Sequence, residues 1–159
     1  MGKNVFEILL VEDSVADATI LREILKLGDI ATNLNVVTDG TGAMAFLNRE
    51  APYAGAPTPH LILLDLNLPK VDGAEILTDL KQDDRHKEIP IIVFSSSRRA
   101  EEVRQCYRHH ANSFITKPQD LASMKETVRS LLHYWFRIAV LPEPHGGGFK
   151  TQVEHEPSA

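Results

Sequence analysis

Four aliphatic residues run directly into an acidic residue in the segment Leu61-Ile62-Leu63-Leu64-Asp65-Leu66-Asn67-Leu68-Pro69. A short run that is apolar at every position is typical of a strand covered on both faces, as in a parallel sheet. Two similar runs occupy 8–11 and 91–94. We therefore predict a parallel β-sheet with these three runs at its centre.

Segments of helical periodicity separate the apolar runs on both sides of this segment. The predicted strands are 5–11, 34–37, 60–65, 89–94 and 113–116, and the predicted helices include 17–27, 41–49, 99–110 and 121–135. In the first helix, Ile20, Ile24 and Leu27 form an apolar stripe that Gly28 ends, with Ser14 as the cap. The last helix carries a longer stripe, which we expect to cover one face of the sheet. The alternation predicts an α/β fold, with the Pro-rich loop 51–59 outside the core.

Composition limits the chain to a few classes of protein. It has 159 residues and a formal net charge of -5, so we expect one folded domain and no nucleic-acid partner. The longest apolar runs are far below the roughly 18 to 20 residues that cross a bilayer, so neither a membrane span nor a secretory leader is predicted. The single cysteine, Cys106, fits a reducing cytoplasm, where we expect the protein to reside.

Polar residues follow the predicted strands at one end of each. They are Glu12 and Asp13 after the first strand, Asp65 after the third, Ser95 after the fourth and Lys117 after the fifth. Because ligands of open parallel sheets bind at the carboxyl ends of the strands, we expect these side chains to share a crevice. Clustered carboxylates repel one another unless a cation joins them, and Mg²⁺ suits oxygen ligands with several waters. Asp65 is then the candidate nucleophile for a phosphoryl group, with Lys117 and Ser95 as partners of the phosphoryl oxygens.

This combination resembles the receiver-domain signature of two-component response regulators. The matching residues are Glu12-Asp13, Asp65-Leu66-Asn67-Leu68-Pro69, Asp72-Gly73, Ser95 and Lys117-Pro118. The resemblance covers about residues 5 to 137. It implies a flavodoxin-like (βα)5 doubly wound sheet with strand order 2-1-3-4-5, and a receiver domain over residues 1–137. We expect the tail, 138–159, to be extended or disordered and to carry no output domain.

The family resemblance also implies residue roles. Asp65 resembles the phosphoacceptor, and Glu12, Asp13, Asp65 and the backbone carbonyl of Asn67 resemble the metal ligands. Lys117 matches the lysine that pairs with the phosphoryl group, and its bond to Pro118 is cis in the family. Ser95 and Phe114 match the switch pair, in which the hydroxyl moves to the phosphoryl group and the ring packs inward. Glu12 stands where Asp is commoner, and Ser95 stands where Thr is commoner.

A finer likeness points to the stand-alone receivers paired with bacterial phytochrome histidine kinases. The resemblance implies a sensor histidine kinase as partner, and a protein that assists its own phosphorylation and dephosphorylation without being an enzyme in the usual sense. Three successive aromatic residues, Tyr134, Trp135 and Phe136, cannot all face one core. They suggest a homodimer or kinase contact through the fourth helix, fifth strand and fifth helix, with capping of the core as the alternative. Signalling and a phosphate-sink role both remain open.

Two other functions share parts of this pattern but fit it less well. A Mg²⁺-dependent phosphohydrolase with an aspartyl nucleophile resembles Asp-x-Asp, where the second acid is a general acid, but this chain has Asn67 there. A flavin-binding protein with the same sheet order would need a phosphate-cradling loop after the first strand. Glu12 and Asp13 would repel a phosphate there unless a metal were bound.

Overall fold

The structure is a computed structural model that describes residues 4–69 and 71–144. Within this part, strands and helices alternate along the chain, as predicted. The strands are β1 (Phe6–Val11), β2 (Thr32–Val37), β3 (Leu61–Leu64), β4 (Ile91–Ser95) and β5 (Ser113–Thr116). The helices are α1 (Val15–Leu27), α2 (Gly40–Asn48), α3 (Gly73–Gln82), α4 (Ala100–Arg108) and α5 (Leu121–His133). A π-helical turn, Tyr134–Ile138, continues α5.

The five strands form one parallel sheet in the order β2-β1-β3-β4-β5. The register places Val11 opposite Leu64, and Leu64 opposite Val93. This arrangement confirms the predicted flavodoxin-like (βα)5 sheet with order 2-1-3-4-5. It also places the last residues of β1 and β3 side by side, next to the carboxyl-terminal half of β4, so the loops that follow these strands open at the same edge.

Helices cover both faces of the sheet, which explains why its central strands are apolar at every position. Alternate strand residues divide between two buried clusters. The cluster facing α2 and α3 includes Leu9, Val11, Ile62, Leu64, Ile91 and Val93. The cluster facing α1 and α5 includes Ile8, Leu10, Leu61, Leu63 and Ile92. The prediction that the last helix covers one face is confirmed.

The predicted apolar stripe of α1 is confirmed at Ile24 and wrong at Ile20 and Leu27. Ile20 and Leu27 are exposed, whereas Ala18, Leu21, Ile24 and Leu25 are buried. The helix carries apolar residues on two overlapping faces, and the face that contains Leu21 and Leu25 is the one that packs on the sheet. The Ser14 cap is confirmed, because its Oγ accepts a hydrogen bond from the Asp17 amide at 3.2 Å.

The loop 51–59 is not wholly outside the core, contrary to expectation. Tyr53 is half-buried against Phe46, with ring centroids 5.4 Å apart, and Ala56 also packs on the core cluster. An aromatic ring gains from burial even when its neighbours are turn residues. The Pro-rich composition predicts the absence of regular structure correctly, but not the position of the tyrosine.

The three successive aromatic residues point in different directions, as predicted. Phe136 is buried and stacks on Phe6 of β1, with centroids 4.1 Å apart and the rings 11° from parallel. Tyr134 is exposed and meets Trp135 edge-on. Leu141 also packs partly against the core, and residues 139–144 form no helix or strand. The rest of the predicted tail lies outside the described residues, and the boundary at residue 137 stays a prediction.

None of the helices within the described residues is long and apolar enough to cross a membrane.

Candidate functional site

The predicted site residues assemble at the carboxyl edge of the sheet. Glu12 and Asp13 follow β1, Asp65 follows β3, Ser95 ends β4 and Lys117 follows β5. Backbone hydrogen bonds between neighbouring strands continue for one residue beyond β3 and β5. The Asp65 amide donates to Val11 O at 3.1 Å, and the Lys117 amide donates to Ser95 O at 2.8 Å. The sheet therefore sets the spacing of these side chains.

Three acids form a tight group in the crevice. Glu12, Asp13 and Asp65 each offer a carboxylate oxygen, and these oxygens lie within 4.8 Å of one another. Glu12 and Asp65 are buried, while Asp13 is exposed at the mouth. This geometry agrees with the predicted convergence of the three acids.

The pKa values of the two buried acids are shifted in opposite directions. Burial, together with a hydrogen bond to Asp65, raises the pKa of Glu12 to about 8. Burial also tends to raise the pKa of Asp65, but the hydrogen bonds from Glu12, the Asn67 amide and Lys117 outweigh it and lower that pKa. At neutral pH and without a cation, Asp65 is thus ionised and Glu12 is protonated, and the Glu12 carboxyl group donates a hydrogen bond to the Asp65 carboxylate.

Lys117 is the cation of the crevice. Its Nζ donates to Glu12 Oε2 at 3.2 Å, Asp65 Oδ2 at 3.1 Å and Asp17 Oδ2 at 3.0 Å. Burial tends to lower the pKa of Lys117, but the hydrogen bond to Asp17 and the charges of Asp65 and Glu12 outweigh it and raise that pKa. The ammonium also lies 5.9 Å from the centroid of the Phe94 ring. Lys117 is therefore charged and in contact with the candidate nucleophile.

The loop after β3 holds Asp65 in place. The Asn67 amide donates to Asp65 Oδ1 at 3.0 Å, and the Gly73 amide donates to Leu66 O at 3.3 Å. A Cβ at Gly73 would lie 2.6 Å from Leu66 Cα and 2.7 Å from Asp65 O, so this position has no room for a side chain. The part of the family signature that reads Asp72-Gly73 thus has a steric reason in this chain. The role of the Asn67 carbonyl stays a prediction.

The predicted switch pair lies beside the crevice. Ser95 is fully buried, and its Oγ accepts a hydrogen bond from the Ser97 amide at 3.3 Å. Phe114 is half-buried and packs against the core cluster under α2 and α3. Its amide, on the free edge of β5, donates to the Tyr107 hydroxyl of α4 at 3.1 Å. Their switching role stays a prediction.

The expected cis bond between Lys117 and Pro118 is wrong for this structure. Within the described residues the cis bond lies between Ala51 and Pro52 instead. An X-Pro bond favours trans by only about 0.5–1 kcal/mol, so the sequence motif alone cannot determine the isomer.

Asp17 also contacts the crevice, although the sequence pattern did not indicate it as a site residue. It lies 100 positions before Lys117, and nothing in the local sequence indicates that their side chains meet. The available signal was position along the chain, because Asp17 lies in the first turn of α1, which begins next to the carboxyl edge of the sheet.

The donors of the crevice fit a hard divalent cation. Carboxylate oxygens are the ligands such ions prefer, and the group of Glu12, Asp13 and Asp65 contains three of them within reach of one ion. A cation there would displace the Glu12 proton and bridge the Glu12 and Asp65 carboxylates in its place.

Comparison with known proteins identifies a family and several similar proteins for this chain. Residues 8–129 match the family model described as the response regulator receiver domain. The response regulator Rcp1 of Synechocystis sp. (strain ATCC 27184 / PCC 6803 / Kazusa) is 42% identical over 135 residues, which cover 85% of this chain and 92% of that protein.

Two solved structures share the fold closely. The Mn²⁺-bound form of Rcp1 has a TM-score of 0.80 and 41% identity, covering 86% of this chain and 99% of the other. The phosphorylated cyanobacterial phytochrome response regulator RcpA has a TM-score of 0.83 and 40% identity, covering 87% and 99%. One of these relatives was solved with a divalent metal and the other in a phosphorylated state. Because the family model matches residues 8–129 and these relatives share the sheet over most of their length, this chain belongs to the response regulator receiver family and is a receiver of a two-component phosphorelay.

Proposed function

We propose that Asp65 is the phosphoacceptor of this receiver and that Lys117 and Ser95 bind the phosphoryl oxygens. The observation that carries the proposal is the contact of Asp65 Oδ2 with Lys117 Nζ at 3.1 Å, inside a crevice that also contains Glu12 and Asp13. The low pKa of Asp65 keeps its carboxylate ionised and nucleophilic at neutral pH.

The reaction exchanges one bond to phosphorus for another. An Asp65 oxygen attacks the phosphorus of a kinase phosphohistidine, a P–O bond forms, and the P–N bond breaks as the imidazole leaves and takes up a proton. Water later attacks the same phosphorus and releases inorganic phosphate and the Asp65 carboxylate. The chain's own residues hold the reacting groups together, because Lys117 stays charged and the Asn67 amide orients Asp65.

Glu12, Asp13, Asp65 and the Asn67 backbone carbonyl would hold the cation, which we propose to be Mg²⁺. When bound, it supplies positive charge that offsets the acids and the phosphoryl oxygens. Mg²⁺ is favoured over Ca²⁺ because the crevice offers few protein oxygens and leaves several positions to water.

We further propose a phytochrome-type sensor histidine kinase as the phosphodonor. The support is the likeness to RcpA, which is a phytochrome response regulator and is 40% identical to this chain. Phosphotransfer from a phytochrome-type kinase should be faster than from a histidine kinase of another sensory class, measured side by side with the same receiver concentration. Equal rates would remove the support for this pairing.

The proposed self-association surface comprises α4, β5 and α5 with Tyr134 and Trp135. Tyr107 and Tyr134 leave about half of their surface exposed on this side (50% and 51%), and exposed tyrosines often anchor interfaces. Phe136 was expected to contribute and does not, because it is buried against Phe6. Phosphorylation would bias this surface and so change the choice of partner.

The test of the phosphoacceptor uses acetyl phosphate with and without Mg²⁺, with intact mass as the readout. We expect wild type to gain one phosphoryl group only with the cation, and Asp65→Asn to gain none. Asp29→Asn, which removes an exposed acid at the far end of α1, is the matched control and should react like wild type. An adduct on Asp65→Asn would show that another residue is the acceptor.

A further inference from the structure

A fourth acid contacts the crevice from outside the metal-binding trio. Asp17 lies in the first turn of α1, and its Oδ2 accepts from Lys117 Nζ at 3.0 Å. Its side chain is 47% exposed, compared with 2% for Glu12 and 8% for Asp65, so it stands at the mouth of the crevice. It is not part of the group of acids close enough to share one ion, which contains Glu12, Asp13 and Asp65.

A helix cap alone does not account for this side chain. An acid in the first turn of a helix is common, and the Asp17 amide does donate to the Ser14 cap. That bond uses the backbone of Asp17 and would form with any residue there. The carboxylate instead contacts a lysine from the loop after β5, so it joins α1 to the opposite side of the crevice.

Lys117 has three N–H donors, and in this structure each faces one carboxylate. Two of those carboxylates change partner when the site works. An oxygen of Asp65 becomes bonded to phosphorus, and Glu12 becomes a metal ligand. Asp17 is the carboxylate that neither event uses, so it remains available to Lys117 while the third donor turns to a phosphoryl oxygen.

Packing alone does not hold the lysine. A recess of about 30 Å³ lies beside it, lined mainly by apolar side chains of α1, β1, β4 and α5. The side chain is therefore incompletely packed on this side. Its position in the crevice therefore depends on its polar contacts.

We propose that Asp17 is a positioning residue that holds the Lys117 ammonium at the phosphoryl-binding side of the crevice. The inference rests on the proposed role of Lys117 in binding the phosphoryl group. Asp17 itself touches neither the phosphoryl group nor the cation; it acts through the lysine.

The test compares phosphorylation rates with acetyl phosphate at saturating Mg²⁺. A half-exposed ion pair contributes modestly, so Asp17→Asn should slow phosphorylation about two- to fivefold. Asp17→Glu should recover part of the rate because it keeps the charge. Glu23→Gln is the matched control: it removes one charge from the same helix, where Glu23 pairs with Lys26 at 3.1 Å, and should leave the rate unchanged.

A double-mutant cycle asks whether the effect passes through the lysine. In a Lys117→Met background, Asp17→Asn should cause no further loss of rate. In the metal-free protein labelled with ¹⁵N-lysine, the ammonium signal of Lys117 should be observable in wild type and broadened or lost in Asp17→Asn. Thermal unfolding of each variant checks that the fold is intact.

The outcomes separate this inference from the proposed function. If wild type is phosphorylated on Asp65 and Asp17→Asn reacts at the same rate, the positioning role is wrong while the phosphoacceptor stands. An equal slowing by Asp17→Asn in both backgrounds also overturns it, because the effect would then not depend on Lys117. If wild type takes up no phosphoryl group, the proposed function itself fails. Should Asp17→Asn fail to fold, Asp17→Ala replaces it in both measurements, and an unchanged phosphorylation rate together with an unchanged ammonium signal overturns the inference.

Discussion

Glu12 and Asp65 are neighbours in one crevice, yet the protein moves their pKa values in opposite directions. Both are buried, which favours the protonated form of each. Lys117 and the Asn67 amide stabilise the Asp65 anion, so Asp65 keeps its charge and Glu12 takes the proton. In the proposed reaction, the residue that reacts is thereby ionised, and the residue proposed to bind the cation carries a proton that the cation would displace.

This proton predicts a pH dependence of metal binding. Since the pKa of Glu12 is about 8, binding below that pH must release a proton. The apparent affinity for Mg²⁺ should rise with pH by up to about tenfold per unit below pH 8, and level off above it. Calorimetric titration at several pH values measures this slope. A flat profile from pH 6 to 8 would contradict it, and Glu12→Gln should bind more weakly with a reduced slope.

The same shift affects stability without metal. The folded protein binds a proton at Glu12 that the unfolded chain, with its ordinary pKa of 4.5, has released. This contribution is therefore fully present below about pH 4.5 and is lost as the pH rises through about 8. Mg²⁺ should stabilise the protein increasingly over the same range, because it binds the folded site once Glu12 is deprotonated.

At the scale of elements, the helices begin at the functional edge of the sheet. Ser14, Asp39, Asp72 and Asp120 cap α1, α2, α3 and α5, each through a bond from a first-turn amide. The loop from β1 to α1 comprises only residues 12–14, so Glu12, Asp13 and the start of α1 occupy the same small region. The position of α3 matters most, because Gly73 approaches the backbone of Asp65 and Leu66.

This close approach gives a steric prediction. Gly73→Ala places a Cβ against backbone atoms that cannot rotate away, so the loop carrying Asp65 must shift. We expect a loss of about 1–3 kcal/mol in the free energy of unfolding, measured with urea, and slower phosphorylation of Asp65. Gly55→Ala is the control, because a Cβ there meets nothing within 4 Å. Equal stability of the two variants would mean that α3 adjusts at little cost.

At the scale of the whole molecule, the segment after α5 packs against β1, the first strand of the sheet. Phe136 of the π-helical turn stacks on Phe6 of β1 and completes the cluster beneath α1 and α5. The turn also rotates Tyr134 outward, so adjacent aromatic residues serve different purposes. One closes the core, and the other remains available to a partner.

Truncating the two aromatic residues should separate these purposes. Phe136→Ala should lower the free energy of unfolding by about 3–5 kcal/mol, because it removes a buried ring and leaves a cavity. Tyr134→Ala should leave stability nearly unchanged and weaken any self-association of the phosphorylated protein. Denaturant unfolding and sedimentation measure the two effects. A large stability loss from Tyr134→Ala would show that it belongs to the core.

The sequence was most informative where local rules apply. Continuous apolar runs predicted the central strands, and Glu12, Asp13, Asp65 and Lys117 were located correctly at the strand ends. It failed where two local patterns were equally good, as with the competing stripes of α1. The periodicity gave no bounds for α3, whose start depends on a glycine fitting against a loop rather than on a repeating pattern.

The sequence by itself therefore determined the fold class, the set of acids and the residue that accepts the phosphoryl group in the proposed reaction. These follow from side-chain chemistry and from the alternation of short apolar runs with segments of helical periodicity, both of which can be recognised over a few positions. Only the tertiary structure decided which face of α1 is buried, where Tyr53 and Phe136 pack, and which carboxylates contact Lys117. Asp17 and Lys117 are 100 residues apart, and no local pattern encodes their meeting. Their contact exists because the packing of α1 and α5 on the same face of the sheet brings both chain segments to one crevice.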